Sequence, residues 1–90
     1  MAKKVLLIDD MVPALGSLAV HLKRAGYHHA NIPCDEDALS QLEAYVPDLV
    51  VLNLGATGYP PLKLCQEIRN SSEGAIIPII FIGTGNEEVH

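Results

Sequence analysis

Apolar and polar positions fall in blocks along this chain, and the period of the blocks changes in a regular way. Residues 5–8 (Val-Leu-Leu-Ile) form a continuous apolar run, too short for a helix and rich in branched side chains, which predicts a strand buried on both faces. Asp9 and Asp10 end it. Beyond Pro13, which suits the first turn of a helix, Leu15, Leu18, Ala19, Leu22 and Ala25 recur at helical spacing. Lys23 and Arg24 fall in the last turn of that helix and Gly26 stops it. Residues 28–32 predict a short extended segment. Asp35, Glu36 and Asp37 then place negative charge where a second helix begins, which its dipole favours. Ala38, Leu39 and Leu42 give that helix its inner face, and Pro47 ends the segment. Residues 49–54 are a second buried-strand run, interrupted only by Asn53. Residues 55–61 are a loop by composition, and Pro61 or Leu62 opens a third helix through Arg69 with Leu62, Cys65 and Ile68 inward. After a turn at 70–74, residues 76–82 are a third apolar run, with Pro78 at a tolerated position near its start. The order βαβαβαβ predicts an α/β fold, an open parallel sheet with helical crossovers.

Composition narrows the class. Ninety residues make one small domain, here residues 1–90, without internal repeat or linker. Apolar residues at 49% and charged ones at 19% exclude a disordered tail and a coiled coil. No apolar run approaches the ~18 residues of a membrane span, and the start MAKKVLLIDD lacks a secretory signal, so a cytoplasmic domain without membrane contact is expected. Six Lys+Arg stand against eleven Asp+Glu, a net charge of -5, which argues against a nucleic-acid surface. Cys34 and Cys65 have no second pair with which to form a metal knuckle, and they read as reduced thiols in or near the core.

In an open parallel sheet, polar groups at the carboxyl ends of the strands converge on one crevice. The sequence places three there: Asp9 and Asp10 after the first strand, Asn53 at the end of the third, and Gly83 and Thr84 after the fourth. Two adjacent carboxylates at a strand end are costly unless a cation or lysine compensates them. They are read either as ligands of a hard cation such as Mg2+ or as caps of the first helix. His28 and His29 would point to opposite faces of a strand, which disfavours a shared metal. Tyr27 and Tyr45 read as boundary residues, His21 as solvated, and Tyr59, in the loop beside the crevice, as the aromatic with a candidate binding role.

The ordered set of motifs resembles a response-regulator receiver domain. KKVLLIDD matches that family's first strand and acidic pair, RAGY with DEDAL its second strand and second helix, PDLVVLNL its third strand, LKLCQEIR its third helix and IPIIFIGT its fourth strand. The resemblance implies a flavodoxin-like receiver fold, cut short after the fourth strand, and a phosphorylation switch. In the family an Asp at the end of the third strand takes a phosphoryl group from a phosphohistidine. Mg2+ is held by the acidic pair, the acceptor and a backbone carbonyl, and a Ser/Thr and a Lys bind the phosphoryl. Carried over, Asp9 and Asp10 fill the acidic pair and Gly55 would supply the carbonyl.

The departures from this pattern bear on function. The acceptor position holds Asn53, whose carboxamide lacks the anionic oxygen that would form an acyl phosphate. Gly83 fills the Ser/Thr position with Thr84 one residue late, and a one-residue offset turns a strand side chain to the other face. The sequence stops at His90, before the place of the family's Lys and fifth strand, and Asn86, Glu87 and Glu88 read as the first turn of a fourth helix. Gly55 to Pro61 replaces the family's usual turn with a stretch containing Pro60 and Pro61, which stiffens the approach to the third helix. The expectation is a pseudo-receiver rather than an enzyme: a phosphorylation-independent interaction module in signal transduction, with Mg2+ binding weak or absent. The partner would be a sensor kinase, an output domain or a second copy meeting the uncovered edge of the fourth strand. The alternatives are a phosphorelay receiver carrying an Asp-to-Asn change at 53, and a small Mg2+-dependent phosphohydrolase with Asp9 as nucleophile. The latter would lack a cap and the length to enclose a substrate.

Overall fold

A computed structural model of the chain describes residues 2–9, 16–55, 59–71 and 75–83. The element order is β1 (Lys4–Asp9), α1 (Gly16–Arg24), β2 (His28–Pro33), α2 (Ala38–Tyr45), β3 (Leu49–Asn53), α3 (Pro61–Asn70) and β4 (Ile79–Ile82). The strands form one parallel sheet in the order β2-β1-β3-β4. This is the α/β architecture that the blocks of the sequence predict. β1 lies inside, with Lys4 opposite His28 on one side and Ile8 opposite Leu52 on the other. The chain crosses from β2 over β1 to β3, so the strand order reverses there and the carboxyl ends of β1 and β3 border a crevice.

The two faces of the sheet are unequally covered. On one, Leu6, Ile8, Val50 and Leu52 meet Ala38 and Leu42 of α2 and Leu64 and Ile68 of α3 in the larger core, which also takes in Ile32 and Cys34. On the other, Val5, Leu7 and Val51 meet the half-buried Leu18, Ala19 and Leu22 of α1. No described side chain of α1 is fully buried. Cys34 is buried, Cys65 is half-buried, and neither is in a disulfide.

Two local expectations are corrected. Leu62 is 62% exposed, and Leu64 takes the inward place instead. Leu64 and Ile68, one turn apart, set the rotation of α3, and two residues are about 200° around the axis, so Leu62 is carried to the opposite side. The fourth strand begins at Ile79 rather than 76: Ile76 is 89% exposed in a turn, and Pro78, which has no N–H, contributes only its carbonyl, 3.0 Å from Val50 N. The acidic triplet lies directly ahead of α2, as expected, with Asp37 at the N-cap position, and Asp35 Oδ1 accepts the Asp37 N–H at 2.9 Å. Asn86, Glu87 and Glu88 lie outside the described residues.

The helix ends differ in strain. Gly26 takes φ 89 after α1, and Tyr27 N–H reaches back to the Leu22 carbonyl at 3.0 Å, so the sequence signal is used as predicted. Val46 ends α2 at φ 53, a left-handed conformation that a β-branched residue pays for with about 1–2 kcal/mol. Lys4 secures the same end: its Nζ donates to the Tyr45 carbonyl at 2.8 Å and lies 5.2 Å from the Tyr45 ring centre. Val46→Gly is expected to raise stability by about 0.5–1 kcal/mol, net of glycine's greater freedom when unfolded. Urea unfolding checks this, and an unchanged or lower midpoint would contradict it.

Candidate functional site

The register that pairs Ile8 with Leu52 brings the next residues along, Asp9 and Asn53, side by side at the ends of β1 and β3. Asp9 is fully buried and Asn53 nearly so. Asn53 Nδ2 donates to Asp9 Oδ1 at 2.7 Å, and Asn53 Oδ1 accepts the Gly55 N–H at 2.8 Å. One side chain therefore ties the end of β1 to the turn that follows β3. The carboxamide has both its donor and its acceptor engaged, and no buried side-chain polar atom among the described residues lacks a partner.

A second group of side chains borders this crevice. The backbone N–H of Cys34 donates to the Asp9 carbonyl at 3.0 Å, and Cys34 Sγ reaches the Tyr59 carbonyl at 3.3 Å. The Tyr59 hydroxyl donates to Glu67 Oε1 at 2.7 Å, and Lys63 Nζ stands 5.2 Å from the centre of its ring. The Glu67 hydrogen bond holds the Tyr59 phenol above its usual range of about 10, and burial adds to this. Cys34, Asp35, Glu36 and Tyr59 line a shallow recess of about 220 Å³ here. The sequence points to Tyr59 here and to Cys34 in the core, and Cys34 is both a core residue and a neighbour of the Tyr59 carbonyl. The available signal was its place directly after the end of β2, on the same carboxyl edge as Asp9.

The other expected positions distribute as follows. Gly55 lies in the turn after β3 and its N–H is the group facing Asn53. Gly83 is exposed just beyond β4. Asp10 and Thr84 lie outside the described residues. His28 is exposed and His29 half-buried on adjacent positions of β2.

Three solved structures that share this fold are response regulators. The N-terminal domain of the nisin resistance regulator NsrR, a lantibiotic response regulator, superposes with a TM-score of 0.80 at 25% identity, over 100% of this chain and 74% of its own. The chemotaxis response regulator CheY4 of Vibrio cholerae gives 0.84 at 20% identity, over 97% of this chain and 72% of its own. The chain has the fold of a response-regulator receiver domain. A response regulator from Burkholderia multivorans adds a third likeness, with a TM-score of 0.66 at 26% identity, over 98% of this chain and 70% of its own. No protein-family model matches the sequence. The receiver fold supports a response-regulator signalling role, and receiver domains in general act on protein partners such as kinases and output domains rather than as catalysts. Among the described residues no helix is long and apolar enough to cross a membrane.

The receiver fold implies a divalent cation at the crevice; of the residues expected to hold one, Asp10 lies outside the described residues and Asn53 does not turn an oxygen towards Asp9. A hard cation wants converging oxygens. Here Asn53 turns its NH2 group, not its oxygen, towards Asp9, and its oxygen is taken by Gly55 N–H. Among the described residues Asp9 is the one carboxylate of the pair, and its Oδ1 already accepts a hydrogen bond.

Proposed function

We propose that this chain is a receiver-type signalling module that works without phosphorylation, engaging a protein partner through its surface. The observation that carries the reading is the state of Asn53. The side chain at the end of β3, where the family has its acceptor carboxylate, is a neutral amide whose two polar atoms are both committed, one to Asp9 and one to Gly55. An amide has no anionic oxygen to attack a phosphoryl group. Gly83, beyond β4, brings no hydroxyl to bind one.

The partner is a protein: a sensor kinase, an output domain or a second copy. Among the described strands β4 is an edge, and Ile80 and Phe81 on it are exposed, so apolar surface is available there for pairing.

Incubation with acetyl phosphate and Mg2+ followed by intact-mass measurement tests the reading. The unmodified chain is expected to gain no phosphoryl group, and a stable adduct on it would overturn the proposal. Asn53→Asp is measured alongside. Uptake by that variant alone would place the block at the single carboxamide and favour a phosphorelay ancestry for the pocket.

A further inference from the structure

A carboxylate taken out of water needs a hydrogen-bond donor or a cation beside it. Asp9 is fully buried at the end of β1, and the structure gives it a neutral donor, Asn53 Nδ2, at the short distance of 2.7 Å. The orientation of the amide is fixed from both sides. Asp9 Oδ1 accepts and Gly55 N–H donates, so the nitrogen faces the first and the oxygen the second. Turning the amide to offer its oxygen to a cation would break both bonds at once and set an N–H against an N–H. Mg2+ also sheds its water reluctantly and repays that only with well-placed oxygens.

We propose that the Asn53 carboxamide takes the place of a divalent cation, clamping the Asp9 carboxylate to the turn after β3 so that the pocket neither needs nor takes a metal ion. The clamp deepens the phosphorylation-independent reading and rests on it. It predicts that Asn53→Asp puts two carboxylates where one carboxylate and one donor now stand, and so creates a pocket that a cation stabilises.

The test uses the unmodified chain and Asn53→Asp, with two readouts. Thermal midpoints are followed during a Mg2+ titration, and NMR resonances of Leu54, Gly55 and the Asn53 side-chain amide are followed as Mn2+ is added. The midpoint of the unmodified chain is expected to stay fixed and its resonances to survive Mn2+. The midpoint of Asn53→Asp is expected to rise by roughly 5–10 °C once Mg2+ exceeds its dissociation constant about tenfold. Broadening of the Asn53 and Gly55 signals by Mn2+ in the unmodified chain overturns the clamp, whether or not the variant folds. Equal Mg2+ shifts in both proteins overturn it as well. So does a variant that folds and ignores Mg2+, because the carboxamide is then not what keeps the cation out. Phosphoryl uptake by the unmodified chain would sink the functional reading, whereas Mn2+ broadening without uptake sinks the clamp alone.

Discussion

Leu42→Ala is expected to cost about 3–4 kcal/mol, a large part of the about 5–13 kcal/mol that holds a chain of 90 residues folded. Leu42 has no exposed surface and is, with Ala38, one of the two α2 residues buried in the larger core that also holds Leu6, Ile8, Ile32, Val50 and Leu52. The site has little room to collapse. Its floor is strand backbone fixed in register on both sides, and the helix is tied at its end by Lys4 Nζ on the Tyr45 carbonyl. A cavity therefore persists after the truncation and adds its own penalty to the lost burial. The midpoint of thermal unfolding should fall by roughly 15–25 °C, and the denaturant slope should stay unchanged. A loss under about 1.5 kcal/mol would mean that α2 settles into the gap and is less firmly seated than this packing implies.

Asn53→Leu is expected to cost about 2–3 kcal/mol, although the side chain keeps nearly the same volume. The loss is polar. The Asp9 carboxylate forfeits a 2.7 Å donor in a site without solvent, and the Gly55 N–H forfeits its 2.8 Å acceptor. Because leucine fills the space, the cavity contribution is small, and urea unfolding reads the two hydrogen bonds almost alone. A stability within about 0.5 kcal/mol of the parent would show that Asp9 is held by its other interactions and that the amide is a spacer.

Most of the architecture is legible in the sequence because strands buried on both faces have to be written as continuous apolar runs. The runs at 5–8 and 49–54 are β1 and β3, the two inner strands, with their boundaries nearly unchanged. The edges are less legible. In β2, Ile32 alone is buried, so the run His-His-Ala-Asn-Ile-Pro carries little apolar pattern. At β4, Ile76 looks like part of the strand but is outside it, because periodicity does not reveal that a turn precedes Pro78. α3 shows a different limit: Leu62, Leu64, Cys65 and Ile68 offer two overlapping helical stripes, and only the sheet beneath selects one.

The site divides in the same way. Convergence of Asp9 and Asn53 follows from two strand ends in a parallel sheet and needs no coordinates. Which atom of Asn53 faces which neighbour depends on the register between Ile8 and Leu52 and on the turn that aims the Gly55 N–H. The contact between Cys34 and Tyr59 is not legible for a related reason. A thiol in an apolar setting reads as packing, and its contact with the Tyr59 carbonyl joins segments twenty-five residues apart.

The inner position of β1 also sets an order of events during synthesis. Leu6, Leu7 and Ile8 have no solvent exposure in the finished domain, yet both strands that flank β1 are made after it. β2 is complete roughly 25 residues after Ile8, about 1–5 s later at about 5–20 residues per second, and β3 follows roughly 20 residues after that. Until β2 emerges the apolar segment has no native edge to join, and until β3 emerges one of its two edges stays open.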